Sequence, residues 1–262
     1  MTIEVLISCM HQVDASIVER TKVQSNVLVI NQCSVNKQES FEFCNSNSEK
    51  CQATIIYTTE RGLSRSRNMA IYNATGDICL ICDDDEVLED NYVSTIIQAF
   101  QRYPEVDIIT FTVHSTRKRS YPSKEKKISY IGAMKRSSWE IAFRRESIVR
   151  NNIRFDEQMG SGTGNGAGEE NKFLFDCLKK GLKIRLVPQL IASVAQANSN
   201  WFYGFTNSYF RNRGWSNRRL LGLPLAWCYA FYFSILKYKV YRSDNTFWKS
   251  LLYQLRGTLE KR

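Results

Sequence analysis

Two clusters of carboxylates have the types and spacing to do chemistry. The first is Asp83-Asp84-Asp85-Glu86, which directly follows Ile78-Cys79-Leu80-Ile81-Cys82. A short apolar run bounded by polar residues reads as a buried strand. Aspartates crowded at its end raise one another's pKa unless a cation neutralises them. Hard oxygen donors suit Mg²⁺, Mn²⁺ or Ca²⁺. Parallel α/β sheets bind ligands at the C-terminal ends of their strands, where these acids would lie. The plain alternative is a solvated acidic turn opening the next helix, since acids favour helix N-termini. The second cluster is Glu169-Glu170, which follows Gly160-Ser-Gly-Thr-Gly-Asn-Gly-Ala-Gly168 and opens NKFLFDCLKKG. Phe173, Leu174, Cys177 and Leu178 share one helical face, and Gly181 supplies the stop. A helix start favours ionised carboxylates, the form that a general base needs. Acids also open helices for stability alone.

The glycine run formally contains G-x-G-x-x-A, but no apolar strand precedes it and no Lys-Ser/Thr follows. It is neither a dinucleotide fingerprint nor a P-loop. It reads as a flexible loop able to close over a ligand.

The elements that must position these acids read as α/β. Ile3–Cys9, Asn26–Asn31, Ala53–Tyr57, the run before Asp83 and Val106–Val113 are apolar strands. Helical spacing lies between them at Asp14–Val23, Ser64–Tyr72 with Ser64 as N-cap, and Asp90–Tyr103. That alternation predicts a parallel sheet with right-handed crossovers. Ser34–Lys50 is polar and reads as a loop. Ser138–Phe143, Lys183–Val187 and Leu190–Val194 read as further short strands. The basic stretch Ser115–Ser129 reads as a solvated loop, with an acidic acceptor as the other reading.

The chain has 262 residues, 43% of them hydrophobic, which suffices for one large domain with an appendage. Its net charge of +10 is uneven, because residues 201–262 hold eleven Lys/Arg against two Asp/Glu. A polyanion or an anionic membrane would therefore be met by that quarter. The eight cysteines are scattered. Cys79-x-x-Cys82 lies in a strand, where i and i+3 point to opposite faces, so buried thiols of a reducing cytosol are expected. The N-terminus lacks a basic segment and a long apolar one, so no signal peptide is expected.

In order along the chain, four segments resemble the family-2 glycosyltransferases. The first strand ends in Ser8-Cys9-Met10-His11, Glu60-Arg61-Gly62-Leu63-Ser64-Arg65-Ser66-Arg67-Asn68 is similar to their G-L-S-x-x-R-N segment, CDDDE to their D-x-D motif, and Gly168-Glu169-Glu170 to their G-E-D segment. The resemblance covers about residues 3–195. It implies a GT-A fold, a Rossmann-like, mostly parallel sheet flanked by helices, here with a basic helical C-terminal extension. The division implied is a catalytic domain over 1–200 and a basic, aromatic region over 201–262. By resemblance, the enzyme is an inverting transferase that moves a sugar from a nucleoside-diphosphate donor, most often UDP-linked, to a saccharide or lipid-linked acceptor. Glu170 is then the base and Glu169 an acceptor contact. Cys9, His11, Arg61, Arg67, Asp83 and Asp84 are donor contacts. Asp83 and Asp85 hold a divalent Mg²⁺ or Mn²⁺. Asn200, Trp201, Phe202 and Gly204, with Tyr209-Phe210 and Arg213-Gly214, are similar to tails of bacterial surface-polysaccharide enzymes. Two departures stand out. Glu170 replaces the usual Asp, and residues 194–198 lack the histidine that many relatives use as a ligand.

Leu220–Leu236 has no formal charge, but its 17 residues reach only about 26 Å as a helix, and Pro224 interrupts it. Arg218, Arg219, Lys237 and Lys239 flank it, and Phe247, Leu251, Leu252 and Leu255 form another apolar face. Peripheral attachment to the inner face of the cell membrane is the expectation. Packing on the catalytic domain or on a second subunit is the alternative. Two other functions fit less well. A sugar-nucleotidyltransferase would carry a Gly-rich Arg/Lys signature after the first strand, where Ser8–Asp14 has none. A polyanion-binding protein would have no use for CDDDE and GEE, and no nucleic-acid partner is expected.

Overall fold

The structure is a computed structural model and describes residues 1–115, 120–194 and 204–262. Its sheet contains β1 (Ile3–Met10), β2 (Asn26–Gln32), β3 (Lys37–Cys44), β4 (Lys50–Thr58), β5 (Ile78–Asp83), β6 (Glu86–Leu88), β7 (Ile108–Ser115), β8 (Lys126–Lys127), β9 (Ile141–Arg144) and β10 (Ile184–Val194). The order is β3-β4-β2-β1-β5-β9-β7-β10-β6, with β8 paired to β10. β4, β2, β1 and β5 run parallel, as do β7 and β10. β9 is antiparallel to both β5 and β7 and joins the two parallel groups. β1, β2 and β5 are covered on both faces, which explains their unbroken apolar runs.

Several local expectations change. Within residues 34–50, Lys37–Cys44 is not loop but β3, which pairs antiparallel to β4 at the sheet edge. Phe41 and Phe43 turn to the core while charged residues cover the exposed side. Charge on an edge strand discourages further pairing. The first helix, α1 (Ser16–Arg20), is shorter than expected, and the Thr21 hydroxyl donates back to the Ile17 carbonyl at its end. α2 (Leu63–Asn73) is N-capped by Gly62, not Ser64. α3 (Tyr92–Arg102), α4 (Tyr130–Ala133), α5 (Arg145–Arg150) and α6 (Glu169–Lys179) follow. Ser138–Glu140 is a 3-10 turn leading into β9. The two strands expected near the end are one, β10, whose register shifts between Leu186 and Ala192. Pro188, which has no N–H to give a ladder, lies in that interval.

The C-terminal quarter forms α7 (Asn207–Leu221), α8 (Leu223–Leu236), α9 (Tyr238–Tyr241) and α10 (Phe247–Leu259). Pro224 lies in the first turn of α8, where it starts a helix and does not interrupt one. α7 and α10 touch backbone to backbone. A Cβ on Gly214 would lie 1.9 Å from the Gln254 carbonyl oxygen, and one on Gly257 would lie 1.9 Å from that of Arg211. Phe210, Phe233 and Tyr241 fill the bundle. The Arg213 guanidinium lies 3.8 Å from the Phe233 ring centre and donates to the Tyr229 hydroxyl. The bundle is fastened to the α/β body. Arg219 meets Asp156 through Nε and Nη2 at 2.7 and 2.6 Å, and Leu220 joins the core beneath the sheet.

Candidate active site

β5 delivers Asp83 to the C-terminal edge of the sheet, and Asp84 and Asp85 make the turn into β6. The Asp83 N–H donates to Glu86 Oε1 at 2.6 Å. Glu86 is buried, and burial, then the Asp83 charge, pushes its carboxyl well up. Asp84 and Asp85 are raised too, by loss of solvent first and then by Asp83. The turn is a concentrated, incompletely neutralised negative charge.

A buried cation answers it from within the fold. Arg67, on α2, is 3% exposed. Its Nη2 donates to Asp83 Oδ1 at 2.8 Å and its Nη1 to Glu169 Oε1 at 3.0 Å. Burial opposes its charge, but Asp83 and Glu169 more than offset that, and its pKa is raised. Arg67 therefore bridges the two acidic clusters. Ser138, just before β9, approaches the other Asp83 oxygen at 3.4 Å.

Glu169 and Glu170 lie in the first turn of α6, after Gly168 at φ 110°. Glu169 is buried, and its Oε2 accepts from the Gly168 N–H at 3.1 Å. Glu170 is half-buried. Removal of solvent, then the neighbouring Glu169 charge, pushes its carboxyl up to about 8, while Arg67 pulls it back. A carboxylate held this way is a stronger base than a solvated one.

The segment Glu60–Asn68 shapes this site from below. Ser64 Oγ donates to the Met159 carbonyl at 2.8 Å, and the Leu63 N–H to that of Ser161 at 3.1 Å. Asn68 exchanges two hydrogen bonds with the Phe155 backbone, at 2.9 and 2.8 Å. The glycine run is folded against α2 in this conformation, with the Gly160 N–H on the Gly166 carbonyl. Gly160, at φ 92°, has a second reason to lack a side chain, because a Cβ there would lie 3.0 Å from Glu169 Cδ.

The remaining expected donor contacts divide. Asp84 is half-buried in the acidic turn. Cys9 is a core thiol, its Sγ directed at the Ile30 carbonyl, and burial followed by the Asp84 charge pushes it up to about 12. His11 is exposed at the end of β1, with φ 55° and its N–H on the Gln32 carbonyl. Arg61 spends its donors on the carbonyls of Cys33, Thr58 and Glu60, tying the ends of β2 and β4. Arg67 is enclosed between acids, with each Nη donating to one carboxylate. Glu86 and Gly160 stood within the acidic and glycine runs without a role of their own, and nothing local marked Ser138 as part of this arrangement. Residues 195–198, the position of the missing histidine, lie outside the described residues, as do Asn200, Trp201, Phe202 and Arg117-Lys118-Arg119.

Among the described residues, no three His, Cys, Asp or Glu side chains are arranged to hold a metal by themselves. The donor set still fits one kind of site. Mg²⁺ and Mn²⁺ take one or two carboxylates and complete their shell with substrate phosphates and water. Asp85 is raised by loss of solvent first and then by the Asp83 and Asp84 charges, and a cation would relieve those charges.

Residues 6–164 match the family described as Glycosyl transferase family 2. With more than half of its length matched, and a largely parallel α/β sheet carrying an acidic strand end, the chain belongs to that family and has the GT-A fold. It is a glycosyltransferase by class. No curated protein matches its sequence significantly. Among solved structures it is similar to residues 1–349 of S. aureus TarS, with a TM-score of 0.60 at 13% identity, covering 99% of this chain and 81% of that one. The same TarS fragment in complex with UDP-GlcNAc gives 0.61 at 13% identity, covering 93% and 74%. A mannosyltransferase from Pyrobaculum calidifontis, in complex with GDP-Man and Mn²⁺, gives 0.54 at 14% identity, covering 98% and 87%. At these identities the likeness is one of fold.

Proposed function

We propose that the protein transfers a sugar, with inversion, from a UDP-linked donor to a hydroxyl of a saccharide or lipid-linked acceptor in cell-surface polysaccharide synthesis. The observation that carries the reading is Arg67, which ties the acidic turn at Asp83 to the acids that open α6. Donor-side and acceptor-side chemistry are thereby held in one rigid frame.

Asp85, with Asp83, would hold a divalent cation, which would neutralise charge developing on the departing diphosphate. Glu170 takes the proton from the acceptor hydroxyl as that oxygen attacks C1 from the face opposite the diphosphate. Its raised pKa suits this role, because the proton moves to it more favourably. Glu169 is held by Arg67 and Gly168 N–H, which fixes the start of α6 and leaves Glu170 for the acceptor. His11 and Asp84 border the acidic turn or the end of β1 and are read as donor contacts. The chain is further read as peripheral to the cytoplasmic face of the membrane, through residues 201–262. No helix among the described residues is long and apolar enough to cross one.

The test is UDP release from a panel of nucleotide sugars, with and without EDTA, and with Asp85→Ala. Chelation and the substitution should each abolish turnover, since either leaves the diphosphate charge unneutralised. Full activity in excess EDTA sinks the metal-dependent reading.

A further inference from the structure

The C-terminal bundle hides one side of α8 and leaves the other bare. Ala226, Ala230, Phe233 and Ser234 pack inward. Leu225, Phe231, Tyr232, Ile235 and Leu236 stay exposed, the last two at 61% and 60%. The bare strip continues onto α10. Trp227 Nε1 donates to Thr258 Oγ1 at 2.8 Å, which brings the two helices side by side. Trp248 (75% exposed), Leu252 and Leu259 follow one another along the outside of α10 at helical spacing. Exposed apolar strips on two neighbouring helices mark an interaction site.

The exposed charges around it are predominantly basic. Lys237, Lys239, Arg242 and Lys249 are exposed, and none has a carboxylate partner among the described residues. The only two acids of residues 201–262 are occupied elsewhere. Asp244 accepts from the Phe205 N–H and the Ser243 hydroxyl, and Glu260 pairs with Arg211 and Arg262. A second copy meeting this surface about a two-fold axis would bring like charges together. An anionic headgroup layer supplies the complement, with lipid chains for the apolar strip and an interfacial place for the aromatic rings. α8 has 14 residues, about 21 Å at 1.5 Å per residue, too short for a hydrocarbon core of about 30 Å.

We propose that the outer face of α8, with the adjoining edge of α10, lies flat in the headgroup layer of an anionic bilayer. This deepens the peripheral attachment read above by giving it a face and named contacts. The experiment is flotation of the full chain, without donor, on vesicles of phosphatidylcholine with or without phosphatidylglycerol. The protein should float only with the anionic vesicles. Lys237→Gln/Lys239→Gln/Arg242→Gln should bind about 10²-fold more weakly, at roughly fivefold per basic residue removed. Phe231→Ser/Ile235→Ser/Leu236→Ser should keep only a weak binding that salt abolishes, whereas the parent chain resists salt in part. All six positions are exposed, so circular dichroism and melting should be unchanged in both variants. Absence of flotation on anionic vesicles overturns the proposal. So does a dimer that the apolar variant splits while the parent chain ignores vesicles. UDP release is measured separately in vesicle-free buffer. Its failure would strike the transferase reading and leave the surface standing, and the reverse result would do the opposite.

Discussion

An Arg67→Lys protein keeps a positive charge at the centre of the site but cannot keep both ion pairs. Asp83 and Glu169 are held by different guanidinium nitrogens, at 2.8 and 3.0 Å. A planar fork can serve both, whereas an ammonium is a compact point charge. The site is dry enough for this to matter, since the side chains of Arg67 and Glu169 are 3% and 8% exposed. Removing one partner of a buried pair costs about 3–5 kcal/mol, because it strands the other charge. Arg67→Met strands both acids and should carry at least that loss. In a chain of this size each kcal/mol lowers the melting temperature by about 2–4 °C. Arg67→Met should therefore melt roughly 6–20 °C lower, with Arg67→Lys between it and the parent. The second readout is chemical. Arg67 is one of the charges holding the Glu170 pKa down, so its loss moves the acidic limb of the pH–rate profile, where Glu170 gives up its proton, to higher pH. The assays are a thermal melt and UDP release across pH. Were Arg67 a phosphate ligand instead, donor KM would rise with melting unchanged. That pattern, or an unmoved pH profile in Arg67→Met, refutes the bridge.

Glu170→Gln keeps size and reach but cannot accept a proton, so kcat should fall roughly 10²–10⁴-fold with donor KM little changed. If Glu169→Gln is the dead variant instead, the roles of the two acids are reversed. The same carboxyl links stability to pH. It leaves the folded chain at about 8 and an unfolded one near 4.5, so the folded state binds more protons between those values. Stability from this group is therefore lost as pH rises across that window, and Glu170→Gln should flatten the dependence seen in urea melts. Gly160→Ala should lower kcat more than it raises donor KM, because its Cβ presses on Glu169 at 3.0 Å. The left-handed backbone at Gly160 adds about 1–2 kcal/mol of instability, seen as an earlier melt.

The legible parts of the sequence were those fixed by local pattern. β1, β2 and β5 are buried on both faces, so unbroken apolar runs announced them. The acidic turn and the start of α6 were equally local. What lay hidden depends on distant pairs. β3 looked like a loop because an edge strand needs only Phe41 and Phe43 on its inner side. The resemblance made Arg67 a donor contact, and its place between two acids stayed hidden because spacing along a chain cannot show convergence. Its partners are 16 and 102 residues away, and only the crossover topology brings them together. Cys9 and Arg61 lie near the right strand ends, yet core packing absorbs one and backbone carbonyls the other.

The boundary near residue 200 follows composition, but the contacts run across it. Phe155–Glu157 is gripped from two sides. α2 holds Phe155 through Asn68 and Glu157 through Arg65, and α7 holds Asp156 through Arg219. The loop beyond leads to Glu169 and also rests on α7, where a Cβ on Gly166 would lie 3.3 Å from Asn212 Cβ and Ser216 Oγ. α7 in turn is locked to α10 at Gly214 and Gly257, too closely for either helix to shift without the other. Removing everything beyond Ser216 would take away Arg219 and the buried Leu220 as well as the bare face of α8. Such a truncation cannot separate attachment from catalysis. Substitutions at Phe231, Ile235 and Leu236 on the outer face of α8 can, because those side chains are exposed and Arg219 and Leu220 stay in place. The C-terminal helices thus do two things with opposite faces. They buttress the loop that carries the acids, and they present an uncovered basic and apolar surface.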